Sequence, residues 1–278
     1  MADIRPQAVA GTWYPAGEGE LAAAVDAYVA SAAAFAAGPV GTRCPRAIIA
    51  PHAGLMYSGP VAAYAYALAG GCSYTAVVLV GPSHFVGFRG VSIWPRGAWE
   101  TPFGAMPIAE SLAAAIGSDP LVTEHPAAHG REHSLEMQMP FLGRLLRDTP
   151  IVPLVMGYQD RETSIGLGET LARVVAARPG ENILLVASSD LSHYEDAATA
   201  ADLDAVVIRH VAALDADALM SALEDDPRHA CGGGPIVAVL RASAVLGCTR
   251  AEVLRYADSG DVSGDKRSVV GYMAAAVW

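Results

Sequence analysis

Short apolar runs alternate along this chain with longer stretches in which apolar residues recur at helical spacing. An apolar run of about four to eight residues bounded by turn residues is typical of a buried strand, and a recurrence every three or four residues is typical of a helix packed on a sheet. The predicted strands are Ala47–Ala50, Ala76–Val80, Gly90–Trp94, Ile151–Met156, Ile183–Val186, Val253–Ala257 and Ser268–Val277. The predicted helices are Gly17–Ala37, Pro60–Leu68, Pro107–Ile116, Glu132–Leu146, Glu162–Ala177, Ala201–Leu214, Ala216–Glu224 and a last one that ends at Leu246.

The alternation of strands and helices predicts an α/β fold with a largely parallel central sheet flanked by helices. Two segments between these elements are predicted to be irregular, a turn at Trp99–Gly104 and a loop at Leu121–Gly130. The chain has no linker, low-complexity block or repeat period that would divide it. Residues 1–278 are therefore predicted to form a single domain.

Three of the predicted strands lead into a histidine just past their carboxyl ends. His52 follows the first strand across Pro51, His84 follows the second, and His193 follows the strand that begins at Ile183. The carboxyl ends of neighbouring parallel strands meet in one crevice, where α/β proteins bind their ligands. The sequence therefore predicts that His52 and His84 share a site.

Charge and hydropathy exclude several classes of partner. The chain has 278 residues, a formal net charge of −11 and no basic run. Such a chain is a poor match for nucleic acid or an anionic membrane surface. The longest apolar stretch, Leu21–Val40, is rich in alanine and contains Asp26, which argues against a transmembrane helix.

The four cysteines indicate a reducing compartment. Cys44, Cys72, Cys231 and Cys248 are scattered without C-x-x-C spacing, and the amino terminus lacks the features of a secretory signal. In a chain of this length, the pattern predicts reduced thiols and a cytoplasmic protein.

One cysteine and one acidic residue are candidates for chemistry. Cys231 precedes three glycines at a predicted helix start, where exposed N–H groups and the helix dipole would favour a thiolate that could serve as a metal ligand or a nucleophile. A small buried side chain and a phosphate-binding turn are the alternatives at this position. Asp190 lies three residues before His193, and the pair suits general acid–base catalysis.

Residues His129–His133 match H-x-x-E-H, an inverted zinc-peptidase signature that requires both histidines on one helix. Gly130 and Pro126 disfavour such a helix, so His133 and Glu136 are instead predicted to line the crevice beside a substrate. Trp13 either anchors the amino-terminal segment or forms a wall of the pocket.

Taken together, several motifs resemble the Memo family, whose bacterial and archaeal members are called AmmeMemoRadiSam system protein B. They are PHAGLMYSGPVAA, LVGPSHF, ETPFG, HSLEMQMPFL, SSDLSHY, the cysteine before the glycines and VVGYMA. That family is similar in fold to class III extradiol dioxygenases of the LigB type, which are non-haem iron enzymes. By motif, the resemblance implies metal ligands at His52, His84 and Cys231 and an acid–base role for His193. It also implies that Trp13 and Tyr57 line a pocket that, in animal members, is implicated in binding phosphotyrosine peptides.

Three functions follow from these residues. The leading hypothesis is a redox enzyme that uses a divalent transition metal, Fe(II) first and copper or zinc as alternatives, on an unknown small molecule. The second is a binding module for an anionic peptide or metabolite without turnover. The third is a covalent hydrolase built on Cys231 and His193, which leaves His52 and His84 without roles. The sequence leaves the metal, the ligand and the oligomeric state open, a homo-oligomer included.

Overall fold

Four apolar runs of the chain form the centre of one sheet. In the computed structural model, which describes residues 3–36 and 43–278, β2, β9, β3 and β8 lie side by side and are all parallel. Every residue of these four strands is buried. Continuous apolar strands of this kind are expected where helices cover both faces of a parallel sheet.

The described residues contain twelve strands and ten α-helices. The strands are β1 (Ile4–Arg5), β2 (Ala47–Ala50), β3 (Ala76–Pro82), β4 (Val91–Ile93), β5 (Ala98–Thr101), β6 (Gly104–Pro107), β7 (Val122–Thr123), β8 (Ile151–Met156), β9 (Ile183–Ser188), β10 (His193–Glu195), β11 (Ala251–Asp258) and β12 (Val269–Val277). The helices are α1 (Glu18–Ala36), α2 (Leu55–Ala69), α3 (Glu110–Ile116), α4 (Pro126–Gly130), α5 (Met139–Leu145), α6 (Arg161–Ala176), α7 (Ala197–Ala212), α8 (Ala216–Asp225), α9 (Gly233–Val245) and α10 (Gly260–Ser263). Two short 3-10 turns cover Glu136–Gln138 and Pro227–His229.

The strands that flank this parallel centre pair antiparallel with it, and the outermost pair, β4 and β7, is parallel. On one side β12 pairs with β2 and also with β10 and β11, and on the other side β4 pairs with β8 and then with β7. A separate three-stranded sheet joins β1, β5 and β6. The prediction of an α/β fold with a largely parallel centre is confirmed.

Two groups of helices pack around this sheet. Helix α2 packs on β2 and β12, and α1 and α5 pack on α2. Helix α9 packs on β9 and β3, and α6 and α8 pack on α9. Because the four parallel strands run in one direction, their carboxyl ends all lie at the same end of the sheet. The loops that carry the predicted site residues follow these strand ends.

Several predicted boundaries are wrong for identifiable reasons. Helix α2 begins at Leu55 and has Pro60 inside it, whereas the prediction began the helix at the proline. The predicted turn at Trp99–Gly104 is the hairpin of β5 and β6, and the predicted loop at Leu121–Gly130 contains β7 and α4. The long helix predicted from Glu132 is reduced to a 3-10 turn and α5, in which Pro140 occupies the first turn, where its missing N–H costs nothing.

The prediction of four reduced thiols is also wrong. Cys44 and Cys72 form a disulfide with their Cα atoms 5.8 Å apart, while Cys231 and Cys248 are free. The reason is topological, because α2 runs back along β2 and returns the chain to the point where the strand began. The cysteine pattern therefore no longer supports a cytoplasmic location, which stays a prediction.

Among the described residues, none of the helices is both long and apolar enough to cross a bilayer. The end predicted for the first helix, Ala37, and the last residues of the apolar stretch that reaches Val40 lie outside the described residues.

Candidate metal centre

His52 lies on the loop that follows β2 and is almost completely buried. Its backbone N–H donates to Oδ1 of Asp190 at 2.7 Å, which ties the loop after β2 to the loop after β9. Its ring Nδ1 lies 2.9 Å from the hydroxyl of Ser188, the last residue of β9.

The hydrogen bonds of Ser188 determine the tautomer of His52. The hydroxyl donates its one hydrogen to the carbonyl oxygen of Ser134 at 2.7 Å and accepts from Nε2 of Gln138 at 2.8 Å. The amide of Gln138 is oriented in turn by Tyr66, whose hydroxyl donates to Oε1. Since Ser188 has no hydrogen left, Nδ1 of His52 must be the donor and its Nε2 carries a free lone pair.

His84 lies on the loop that follows β3 and is held by Glu132. The carboxylate accepts from the backbone N–H of His84 at 2.6 Å, from its ring Nδ1 at 2.8 Å and from the backbone N–H of Ser134 at 2.9 Å. Burial raises the pKa of Glu132, but the hydrogen bonds from His84 and Ser134 outweigh it and lower the pKa to about 2. The carboxylate is therefore ionised and accepts a hydrogen bond from Nδ1–H of His84, so that Nε2 of this ring is also free to bind a metal.

His133 completes a cluster of three imidazoles. Its ring stacks on that of His84 with centroids 4.4 Å apart and lies 5.6 Å from that of His52. Its Nδ1 is buried without a hydrogen-bond partner in the part of the chain that the structure describes. Burial, then the repulsion that protonated rings at His52 and His84 would exert, lowers the pKa of His133 to about 3, so the ring is neutral.

The cluster fits a metal ion. Each of the three histidines offers a ring nitrogen, and these atoms lie within 4.8 Å of one another. Burial lowers the pKa of His52 well below its usual range, which leaves this ring neutral as metal binding requires. A buried ring nitrogen without a partner is costly unless something binds it, and a metal ion would satisfy the one on His133.

Cys231 lies against the same cluster. Its Sγ is 3.2 Å from Nε2 of His52. Two ligands of one tetrahedral metal, a sulfur at about 2.3 Å and a nitrogen at about 2.0 Å, lie about 3.5 Å apart, so the observed distance suits a shared ion. The approach depends on Gly232, since a Cβ there would meet the carbonyl oxygen of Ser188 at 2.5 Å.

The expected thiolate at Cys231 is not supported. Burial, followed by the charge of Asp190, raises the pKa of the thiol well above its usual range. The N–H groups expected to stabilise it are used elsewhere, because Gly232 donates to Ser189 and Gly234 donates to Gln159. Without a cation the sulfur keeps its proton, which it can share with the free lone pair of His52.

Asp190 and His193, predicted as the acid–base pair, lie on the loop after β9 and at the start of β10. Burial raises the pKa of Asp190 to about 6, although N–H groups of His52 and Ala53 donate to its Oδ1. The carbonyl oxygen of Asp190 also accepts from the backbone N–H of Cys231 at 3.3 Å. These contacts make Asp190 a link between two predicted ligands. Nδ1 of His193 donates to the carbonyl oxygen of Leu191 at 2.8 Å, which leaves its Nε2 available for proton transfer.

The residues predicted to contact substrate occupy different environments. Trp13 is 37% exposed with its ring 4.3 Å from that of His133, and the half-buried Tyr57 lies in the first turn of α2. Glu136 is fully buried and faces the amino-terminal segment, where it accepts from backbone N–H groups at Ala8 and Val9 and pairs with Arg5. These contacts give Glu136 a structural role as an anchor, and its contact with substrate stays a prediction.

The arrangement required by the peptidase signature is absent. Helix α4 ends at Gly130, so His129 and His133 do not share a helix. His129 is fully buried, and its Nε2 pairs with the hydroxyl of Ser92 at 3.0 Å, which points this ring into the core.

Sequence reasoning missed three residues that orient the cluster. Glu132 lay inside the H-x-x-E-H match but was not assigned to the site, and its position beside His133 was the available signal. Ser188 and Gln138 gave no signal, because their role comes only from hydrogen bonds between distant segments.

The family model and the relatives of this chain indicate the same family. A family model described as Memo-like protein matches residues 5–276. A MEMO1 family protein of Methanosarcina mazei is 42% identical over 232 residues, which cover 82% of this chain and 84% of the relative. A MEMO1 family protein of Thermotoga maritima is 35% identical, with 99% of each chain covered. Among solved structures, an uncharacterized protein from Escherichia coli K12 aligns with a TM-score of 0.56 at 19% identity, covering 83% of this chain and 99% of that one, which shows similarity of fold alone.

Proposed function

The chain belongs to the Memo-like protein family, and we propose that it is a metal-dependent redox enzyme that acts on a small substrate at the histidine cluster. One observation carries this proposal. His52 and His84 each donate Nδ1–H to a fixed acceptor and so keep a lone pair on Nε2, while the buried Nδ1 of His133 makes no hydrogen bond with a described residue and lies 3.6 Å from the carboxylate of Glu132. Each of the three rings offers a nitrogen, and these atoms lie within 4.8 Å of one another. Such a group has a cation as its natural partner.

Two ligand sets are compatible with the geometry. The family resemblance implies His52, His84 and Cys231, whereas the distances bring together His52, His84 and His133. We propose that His52 and His84 are ligands in either case. Three imidazoles suit iron, copper or zinc, and a thiolate in the set would shift the preference towards copper or zinc. Of these metals, iron or copper would supply the one-electron redox chemistry that none of these side chains provides.

The protein residues have separable roles in this proposal. Glu132 and Ser188 hold the imidazoles in the tautomer that binds metal, and Asp190 fixes the loop of His52 relative to Cys231. His193 carries its proton on Nδ1, which is engaged with the carbonyl of Leu191, so Nε2 is the atom that would accept a proton from the substrate. Trp13 and Phe85 flank His133, with Phe85 51% exposed, and would shield a bound substrate from water.

Metal content tests the proposal directly. Protein prepared without oxygen and loaded with Fe(II), Cu(I) or Zn(II) should bind about one equivalent, measured by elemental analysis after desalting. His52→Ala and His84→Ala should abolish binding, whereas His210→Ala on α7 is the matched control. If His133→Ala abolishes binding and Cys231→Ala does not, the three-histidine set holds the ion, and the reverse result supports the cysteine set. No uptake of any of the three metals would refute the proposal.

A binding module without turnover is the second candidate, favoured by the exposed Trp13 beside His133. Oxygen consumption by the Fe(II)-loaded protein with catechol-like substrates separates the two functions. Consumption that is lost in His193→Ala supports the enzyme, whereas tight ligand binding without consumption supports the module.

A further inference from the structure

A second concave site lies at the opposite end of the parallel strands from the histidine cluster. It is a cavity of about 180 Å³ next to the amino end of β2, whereas His52 follows the carboxyl end of the same strand. The residues that line it are Arg43, Cys44, Pro45, Arg46, Asn182, Leu246, Gly247, Cys248 and Trp278. Neither the metal-binding proposal nor the family assignment uses this cavity.

Sulfur is concentrated in this cavity. Cys44 and Cys248 both line it, and Cys44 is bonded to Cys72, so three of the four cysteines of the chain meet here from distant segments. Cys44 is exposed and lines the cavity, and Cys72 is partly exposed, so the disulfide lies at the surface beside the cavity. An accessible disulfide is the kind that exchanges with external thiols.

Two arginines, Arg43 and Arg46, place positive charge at the cavity. The guanidinium groups of Arg43 and Arg46 make no ion pair or hydrogen bond with any residue in the described ranges 3–36 and 43–278. Several other surface arginines of this acidic chain are paired, as Arg144 is with Asp26 and Arg161 is with Glu224. None of the residues that line the cavity is an aspartate or a glutamate. Two free guanidinium groups in a concave site are a binding arrangement for carboxylates.

We propose that this cavity binds a small anionic thiol, which opens the Cys44–Cys72 disulfide by thiol–disulfide exchange. The thiolate of the bound molecule attacks Sγ of Cys44 and forms a mixed disulfide, while the bond from Cys44 to Cys72 breaks. Cys72 leaves as a thiolate and takes a proton from water. A second molecule of the thiol then attacks the mixed disulfide, which releases Cys44 as a thiol and the two small molecules as their own disulfide.

The charge of the cavity acts at two points of this exchange. Arg43 and Arg46 attract the carboxylates of the thiol, and they also stabilise the negative charge of the attacking sulfur near Cys44. The disulfide closes a covalent loop from residue 44 to residue 72, which contains β2, His52 and α2. Opening it would release the segment that carries one of the proposed metal ligands, but the exchange itself does not depend on metal.

The test compares thiols of different charge on the full-length oxidised protein. The probes are reduced glutathione, which carries two carboxylates, neutral 2-mercaptoethanol and cationic cysteamine. Reactions are stopped with iodoacetamide, and mass spectrometry of the peptides measures how fast the disulfide opens and which cysteine carries the adduct. With glutathione we expect a rate that saturates with concentration, decreases as salt is added, and yields an adduct on Cys44.

The variant Arg43→Gln/Arg46→Gln should lower the glutathione rate about tenfold and leave the cysteamine rate unchanged or higher. Arg209→Gln on α7 is the matched control and should change neither rate. The cysteamine rate also reports whether the double variant has kept its fold around the disulfide. The proposal is overturned if the double variant lowers the rate of disulfide opening by the same factor for all three thiols. It is also overturned if the rates depend on the pKa of the thiol alone, or if the adduct forms on Cys248 and not on Cys44.

Discussion

The substitution Glu132→Gln tests whether the orientation of His84 determines the affinity for metal. The buried carboxylate accepts two hydrogen bonds from His84 and one from Ser134. A glutamine of the same size can accept through one oxygen only, and its NH2 group would face the backbone N–H of His84, which lies 2.6 Å from Oε2 in the native protein. Two donors would then face each other at a side chain that is fully buried in the native protein.

The expected loss follows from the role of such carboxylates. Removing the group that orients a metal-bound histidine typically weakens metal binding about 10- to 100-fold, or about 1.4 to 3 kcal/mol. We therefore expect the dissociation constant for Zn(II) to rise at least about tenfold in Glu132→Gln. Zinc is suited to this measurement because it is redox-inactive, and competition with a chromophoric chelator at pH 7 gives the constant.

The matched control is Glu169→Gln, at a residue on α6 that is 56% exposed and pairs with Arg241. It should bind zinc like the unmodified protein. If Glu132→Gln retains full zinc affinity and an unchanged near-ultraviolet circular dichroism spectrum, then the hydrogen bonds to His84 do not control metal binding, and the reasoning is refuted.

Two further predictions concern packing and pH. Gly232→Ala places a Cβ 2.5 Å from the carbonyl oxygen of Ser188, so we expect a loss of about 1 to 3 kcal/mol in the free energy of unfolding and weaker metal binding through displacement of Cys231. Urea denaturation and chelator competition measure the two effects. Burial lowers the pKa of His129 from 6.5 to about 3, so the unfolded chain binds a proton there that the folded protein does not. Stability should therefore fall as the pH decreases from 6.5 towards 3, by up to about 1.4 kcal/mol per pH unit for this one group, and His129→Gln should remove that part of the slope.

Controls for both predictions are available in the chain. Gly180→Ala adds a Cβ with no heavy atom within 4 Å and should be neutral. A Gly232→Ala protein with unchanged stability would show that the loop relaxes without cost. For His129, equal pH slopes in the substituted and unmodified proteins would show that the ring is not held neutral in the core.

The sequence was most informative about the centre of the fold. The apolar runs that became β2, β3, β8 and β9 were recognisable because strands buried on both faces need continuous apolar side chains. The boundaries of α2 and of the hairpin β5–β6 were predicted wrongly, since they depend on packing partners that local pattern does not contain.

The sequence predicted part of the candidate site. His52 and His84 were found because each follows a strand of the parallel centre, and the rule that parallel carboxyl ends converge brings them together. His133 was placed at the crevice but not in the cluster. Nothing local distinguishes a histidine that stacks on His84 from one that lines a pocket wall.

By itself, the sequence determined the α/β class, the end of the parallel strands at which His52 and His84 lie, and the family, because these follow from periodicity and from motifs that are contiguous in the chain. Only the tertiary structure decided the protonation of the site, where Glu132 and Ser188 fix the tautomers of two histidines and burial keeps Cys231 protonated. The disulfide between Cys44 and Cys72 was decided in the same way. The physical reason is common to all of them, since hydrogen bonds, desolvation and sulfur–sulfur contact act over a few ångströms in space between residues that lie tens of positions apart in the chain.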